Sequence, residues 1–185
     1  MSNLAVIYAG DLVSVAEAFA AAARDVSGAV RVRALEEDRR RHTAAHPPAE
    51  LADLEWADGI AFGTPIGDGS PAPSLMWFLA RTEPLWSSGR LYDKAVTVFT
   101  DEPEHLAPDS VLHPVYDVLY PWGAVIIGPR AFELEREGHP ARALDGGPPS
   151  LTAARPRSTR HRAGRLARLA AVLAEHRHRM ERLQF

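Results

Sequence analysis

The sequence predicts an α/β domain in which a five-stranded parallel sheet carries helices on both faces. Short apolar runs of strand length alternate with segments of helical periodicity, which is typical of βαβ units. Right-handed crossovers between parallel strands place the helices on both sides of such a sheet. No internal repeat or linker divides the chain, so residues 1–185 are predicted to form one domain.

The first half of the chain contains three predicted strands and two predicted helices. Ser14 stands where it could cap the first helix. The second strand alternates apolar residues with Arg, as an edge strand would. In order, these elements are Leu4–Ala9, Val15–Arg24, Ala29–Leu35, Ala49–Trp56 and Gly59–Thr64.

The second half begins with Gly67–Pro73, where two Gly, an Asp and two Pro predict a turn. A Gly/Pro-rich excursion over residues 133–158 precedes a basic helix over residues 160–183. The predicted elements between the turn and the excursion are a helix from Leu75–Arg81, a strand at Ala95–Thr100, a helix at Asp109–Tyr120 and a strand at Gly123–Gly128.

Composition excludes several classes of site. The chain has no cysteine, which rules out a disulfide framework, a thiolate zinc site, an iron–sulfur cluster and a cysteine nucleophile. Its apolar runs fall short of the roughly 20 residues that span a bilayer, and Met1–Tyr8 lacks the features of a secretory signal. We therefore expect a cytoplasmic protein without a membrane partner.

Charge is distributed unevenly along the chain. Residues 151–185 carry nine Arg and two Glu, which gives this segment a net charge of +7. Because the whole chain has a net charge of −3, the other 150 residues carry a net charge of −10. Such a tail can bind nucleic acid or another anion, although a surface helix with a solvated Arg face is the more common case. Because interleaved aromatic residues and a recognition helix are lacking, a nucleic-acid partner is not expected.

Ligands of open parallel sheets bind beyond the carboxyl ends of the strands, near the switch point in strand order. This rule focuses attention on three loops, Gly10–Ser14, Pro65–Pro73 and Asp101–Asp109, which follow the first, third and fourth predicted strands.

Three stretches of the sequence resemble the WrbA-type NAD(P)H:quinone oxidoreductases. They are ELADLEWADGIAFGTP from Glu50, FLARTEPLWSSGRLYDKAVTVF from Phe78, and Trp122-Gly123-Ala124-Val125, where that family has His-Gly. The resemblance implies a flavodoxin-like, doubly wound sheet of order 2-1-3-4-5 that holds FMN in the three loops. It also implies NAD(P)H as electron donor, a quinone or other aromatic small-molecule substrate, and a homo-oligomer, either a dimer or a tetramer.

In the first loop the resemblance assigns the FMN phosphate to the backbone N–H groups of Ser14 and Val15. The loop departs from the family pattern because Gly10 replaces a hydroxyl residue and Val13 replaces a glycine. Asp11 adds a negative charge beside the expected phosphate.

The second and third loops also depart from the pattern. In the second loop Gly67 stands where the family has a phosphate-facing Arg. The third loop carries Asp101, Glu102 and Glu104 beside a stiff Pro103. The flavin contacts that the resemblance implies are Thr64, Pro65, Gly67, Asp68, Gly69, Ser70, Thr100 and Asp101.

Aromatic residues complete the implied site. Trp86 is kept from the family's Leu-Trp turn, Trp122 replaces the histidine that flanks its quinone pocket, and Tyr120 lies two positions before. The resemblance identifies no protein acid or base as catalytic, because a flavin carries the reaction itself.

Two hypotheses remain open from the sequence. One is a divergent FMN-dependent NAD(P)H:quinone-type oxidoreductase. The other is a flavodoxin-like protein that has lost FMN and uses the acidic, Trp-lined cleft to bind or transform a neutral or cationic aromatic molecule. In the second case the carboxylates could bind Mg²⁺ or Ca²⁺ or act as an acid/base pair, but exposed loop carboxylates are common and we assign no metal site. These carboxylates are Asp11, Asp68, Asp101 and Glu102, with His105 nearby.

Overall fold

The computed structural model describes residues 2–35, 45–100, 109–128 and 155–183. Its main sheet has five strands, and every neighbouring pair is parallel. Across the sheet the strands follow the order Ala29–Ala34 (β2), Asn3–Tyr8 (β1), Gly59–Gly63 (β3), Ala95–Phe99 (β6) and Val125–Ile126 (β7). Counted among the parallel strands alone, this is the order 2-1-3-4-5, which confirms the predicted fold class.

Helices cover both faces of this sheet. α1 and α6 bury their apolar side chains against one face, and α2 to α5 bury theirs against the other. A short 3-10 helix, Tyr120–Trp122, leads into β7. The helices are α1 (Val13–Arg24), α2 (Leu51–Trp56), α3 (Pro73–Ala80), α4 (Glu83–Trp86), α5 (Asp109–Leu119) and α6 (Arg155–Leu183).

Two local features differ from the sequence-based expectations. The stretch expected to be only a turn contains a small antiparallel hairpin, β4 (Ile66–Gly67) and β5 (Ser70–Pro71). The helix α1 begins at Val13, one residue before Ser14, and its N-cap position is Leu12 with no side-chain cap. The prediction that Ser14 caps this helix is therefore wrong, because a residue inside the first turn does not occupy the flanking cap position.

The core is built on β1 and β3, whose residues are almost all buried. At the start of β3, Gly59 lets α6 approach closely: a Cβ there would lie 2.8 Å from the Cβ of Ala170. A larger residue would push the long helix away from the sheet. Among the described residues, none of the helices combines the length and the apolar character that crossing a bilayer requires.

Parts of three predicted segments lie outside the described residues. They are residues 36–44 of the segment Glu36–Pro48, which is predicted to be a charged loop rich in Arg and His, the third loop from residue 101 to 108, and residues 133–154 of the Gly/Pro-rich excursion. The final predicted helix, 160–183, is present and starts earlier, at Arg155.

Candidate functional site

The carboxyl ends of β1, β3 and β6 are tied together by backbone hydrogen bonds. The N–H of Ala9 donates to the carbonyl of Gly63 at 2.9 Å, and the N–H of Thr64 donates to the carbonyl of Phe99 at 3.0 Å. The three loops predicted to form the site therefore leave the sheet side by side. Thr100, half-buried, is the last described residue before the third loop. Asp101, Glu102 and His105 lie outside the described residues.

The first loop is a tight turn into α1. Gly10 has φ of +59°, a left-handed conformation that favours glycine. Leu12 is buried, and the N–H of Ala16 donates to its carbonyl at 2.8 Å. The first N–H groups of a helix have no partner within the helix. Leu12, at the N-cap position, makes no side-chain cap bond, and the first-turn amides, which include those of Ser14 and Val15, point out of this end of the helix.

The second loop is closed at its base by one side chain. The buried Thr64 hydroxyl accepts a hydrogen bond from the N–H of Ala72 at 2.8 Å and donates to the carbonyl of Pro65 at 3.0 Å. One threonine thus joins both ends of the β4–β5 hairpin. Its position is set by β3, which it follows directly.

The tip of this hairpin is a two-residue turn at Asp68 and Gly69, with φ of +49° and +73°. Left-handed backbone at both central residues is the type I′ geometry that Asp-Gly sequences favour. The Ser70 hydroxyl donates to the carbonyl of Gly67 at 3.1 Å and steadies the turn. Both glycines face open space, because a Cβ at Gly67 or Gly69 would meet no atom within 4 Å.

The acidic side chains that the sequence analysis placed near the phosphate are only partly described. Asp11 and Asp68 are both exposed, one in the turn before α1 and the other at the hairpin tip. Within the part of the chain that the structure describes, no three His, Asp or Glu side chains come together in a way that could hold a metal ion.

The three aromatic residues expected around the substrate lie in different environments. Trp122 is 1% exposed and packs edge-to-face on Phe62, with ring centroids 6.0 Å apart. Tyr120 is 71% exposed, whereas Trp86 is half-buried against the core. All three belong to segments that enter β6 or β7, and strands are entered at the amino edge of the sheet, opposite to the loops.

Sequence reasoning missed a chain of polar groups that begins at the buried Tyr8, at the end of β1. The hydroxyl of Tyr8, a residue 2% exposed, lies 3.0 Å from Nδ1 of His46. Nε2 of the same histidine lies 3.6 Å from the carboxylate of Glu17 on α1. Burial, and secondarily the Glu17 charge, raise the pKa of Tyr8 above its ordinary value. This chain holds the segment returning to the sheet against α1.

Two arginines of α6 also reach the carboxyl edge. Nη1 of Arg162 donates to the carbonyl of Val98 at 2.7 Å, and Nη1 of Arg165 donates to the carbonyl of Gly128 at 3.1 Å. These two residues depart from the solvated Arg face that is the more common case, because the strand segments β6 and β7 offer them carbonyl acceptors. Their i, i+3 spacing places both on adjacent parts of one helix surface.

Comparison with known proteins agrees with this architecture. No family model matches the chain. The chain is 35% identical over 143 residues to the NAD(P)H dehydrogenase (quinone) of Acidithiobacillus ferrooxidans, and the alignment covers 69% of this chain and 71% of that protein. A protein of the same name from Geotalea uraniireducens is 31% identical over 140 residues, with 67% of this chain and 69% of the relative covered. The chain belongs to the NAD(P)H dehydrogenase (quinone) family.

Solved structures support the fold of this family member. A WrbA-like flavodoxin from Agrobacterium tumefaciens superposes with a TM-score of 0.64 at 21% identity, covering 92% of this chain and 98% of that chain. The general stress protein 14 of Treponema denticola, solved in complex with FMN, superposes with a TM-score of 0.55 at 18% identity, over 90% of this chain and 99% of the other. The resemblance to WrbA-type proteins is confirmed, and family membership does not favour the cofactor-free alternative.

Proposed function

We propose that this protein is an FMN-dependent oxidoreductase that transfers electrons from NAD(P)H to a quinone or a related aromatic acceptor. The single observation that carries the proposal is that the carboxyl ends of β1, β3 and β6 lie side by side in a member of the quinone dehydrogenase family. In such folds this edge is where ligands bind.

The described residues fit FMN through their backbone. The first turn of α1, which includes Ser14 and Val15, offers N–H donors to a phosphate, and the helix dipole favours an anion there by about 0.3–2 kcal/mol. Gly67 and Gly69 leave open space in which a planar ring could approach the hairpin. Thr64 holds that hairpin closed, so its geometry is set before any ligand arrives.

Charge is the main objection to this fit, and exposure weakens it. Two unit charges about 5 Å apart repel by roughly 3 kcal/mol at an effective dielectric constant near 20. Asp11 and Asp68 are exposed, so water raises the effective dielectric constant around them and reduces this repulsion to about 1 kcal/mol. These two carboxylates therefore weaken the binding of a phosphate without preventing it.

The bound cofactor would supply the hydride chemistry, and the protein would supply binding and orientation. The amides of Ser14 and Val15 would hold the phosphate. Pro65, Asp68 and Ser70 would shape the second loop around the ring, and the family resemblance adds Thr100 and Asp101 to the flavin contacts.

We further propose that the site is completed by a homo-oligomer. Trp86 belongs to a segment that enters β6 from the amino edge, so within its own chain it lies away from the loops. If it lines the cleft, as the family resemblance implies, it does so from a neighbouring subunit. A cytoplasmic location would give such an enzyme access to NAD(P)H, and we propose it on that ground.

The first test is the visible absorption spectrum of the purified protein, before and after incubation with excess FMN and desalting. Flavin bands that stay with the protein, together with quinone-dependent oxidation of NAD(P)H, are the expected result. A protein that retains no flavin under these conditions would overturn the proposed function.

A matched pair of variants tests the phosphate site. Ser14→Ala removes the hydroxyl and keeps the amide, whereas Ser14→Pro removes the amide at a first-turn position where proline is tolerated. We expect Ser14→Pro to weaken FMN binding roughly tenfold or more and Ser14→Ala to change it little, because the donor is the backbone. Riboflavin, which lacks the phosphate, should bind both variants equally.

A further inference from the structure

Within the described residues, the backbone hydrogen bonds between β6 and β7 end before β6 does. The N–H of Val125 donates to the carbonyl of Lys94 at 2.8 Å, and that of Ile127 donates to the carbonyl of Val96 at 2.7 Å. Alternation by two residues would next pair residue 129 with the carbonyl of Val98. Residue 129 is a proline, which has no N–H to donate.

Beyond the last of these backbone pairs, side chains donate hydrogen bonds to the backbone carbonyls. Arg162 of α6 donates to the Val98 carbonyl at 2.7 Å. This is the carbonyl to which the proline at position 129 has no N–H to donate. Arg165, one turn further along, donates to the carbonyl of Gly128 at 3.1 Å. The buried Thr97 hydroxyl donates to the carbonyl of Ile127 at 2.8 Å. The helix thus completes the edge of the sheet with guanidinium groups.

These contacts lie next to the junction of the second and third loops. Val98 precedes Phe99, whose carbonyl accepts the hydrogen bond from the N–H of Thr64. Thr64 in turn closes the hairpin of the second loop, and Thr100 leads into the third. A shift at the Val98 carbonyl would therefore move Phe99 and, through its hydrogen bond, Thr64 at the base of the second loop. It would also move Thr100, two residues further along the chain.

We propose that Arg162 and Arg165 are positioning residues for the carboxyl-edge site. They anchor the ends of β6 and β7 beyond the last described backbone hydrogen bond between the two strands, and so they set the geometry from which the second loop departs. The identity of the ligand that this edge binds rests on the proposed function, whereas the anchoring of the strand ends does not.

Arg168 provides a matched control on the same helix. It is exposed, carries the same charge and lies against the surface of its own helix, near Gly164. Arg162→Gln and Arg168→Gln remove one positive charge each, but only the first removes a bond to the sheet. Arg162→Lys keeps the charge and one donor.

Amide hydrogen exchange measures the anchoring without any cofactor. In Arg162→Gln we expect the exchange of the Thr64 N–H to accelerate roughly tenfold, because the neighbouring β6 end loses a charged hydrogen bond. The N–H of Val125, at the amino edge, should keep its wild-type rate. Arg168→Gln should change neither amide, and Arg162→Lys should recover most of the protection at Thr64.

Equal acceleration at Thr64 and Val125 would show general destabilisation and overturn the proposal, as would unchanged exchange at Thr64. FMN binding gives the second measurement: its dissociation constant should rise roughly tenfold in Arg162→Gln and stay unchanged in Arg168→Gln. If the wild-type protein takes up no FMN, the proposed function fails, and the exchange rates still decide whether the arginines position the edge.

Discussion

Lys94 is the only lysine among the 185 residues, and the fold buries it at the amino edge of the sheet. The residue is 5% exposed. Its ammonium group donates hydrogen bonds to the carbonyls of Glu55, at 2.8 Å, and Ala57. Burial and, to a lesser extent, the nearby Arg177 lower the pKa of Lys94 from 10.5 to about 8, whereas Asp58 and Glu55 act in the opposite direction.

Because the pKa of Lys94 is lowered in the folded protein, the free energy of unfolding depends on pH in the alkaline range. Between about pH 8 and pH 10.5 the unfolded chain binds a proton at Lys94 that the folded chain does not. The free energy of unfolding should therefore rise with pH through this window. The pKa difference corresponds to a ceiling of about 3 kcal/mol. Replacing Lys94 with Met removes the titrating group and should abolish this contribution.

Two measurements check the prediction. Urea unfolding at about pH 8 and about pH 10 should show the wild-type protein gaining stability relative to Lys94→Met, by roughly 2 kcal/mol. In protein labelled with ¹³C-lysine, a single side-chain resonance should titrate near the lowered pKa. Arg177→Gln should move that pKa upward, because it removes a neighbouring cation and frees Asp58 to stabilise the ammonium. A resonance that titrates near 10.5, or equal pH slopes in both proteins, would refute the reasoning.

Three further predictions concern packing and backbone geometry. Gly59→Ala should lower stability by about 1–3 kcal/mol in thermal unfolding, because the new methyl would lie 2.8 Å from the Cβ of Ala170; an unchanged midpoint would contradict this close approach. Gly69→Ala should cost about 1 kcal/mol or more through its left-handed backbone, whereas Gly67→Ala, in equally open space without positive φ, should cost less than about 0.5 kcal/mol. The Nε1 atom of Trp122 has no hydrogen-bond partner within the described part of the chain, so Trp122→Phe should cost less than about 1.5 kcal/mol in urea unfolding, against about 3–5 kcal/mol for Trp122→Ala. A Phe variant as unstable as the Ala variant would mean that the indole N–H makes a bond after all.

Much of the fold could be predicted from the sequence because its signals are local. Strand-length apolar runs, helical periodicity and turn residues were enough to place the five parallel strands, with most boundaries within one or two residues of those observed. The Asp68-Gly69 turn is also local, since these residue types adopt left-handed backbone readily. The loops of the candidate site followed from the strand order alone, because carboxyl ends of parallel strands share one edge.

Tertiary structure alone decided what the side chains do at those edges. Arg162 and Val98 are 64 residues apart, and nothing in the local pattern of an Arg-rich helix distinguishes an arginine that completes a sheet from one that faces water. In the same way, Trp122 was expected beside a substrate and is a core residue, because its environment depends on Phe62 in a distant strand. Backbone preferences act between neighbours in the chain and can be read from sequence. Burial and hydrogen-bond partners arise from contacts between distant segments, and these exist only once the sheet has brought the segments together.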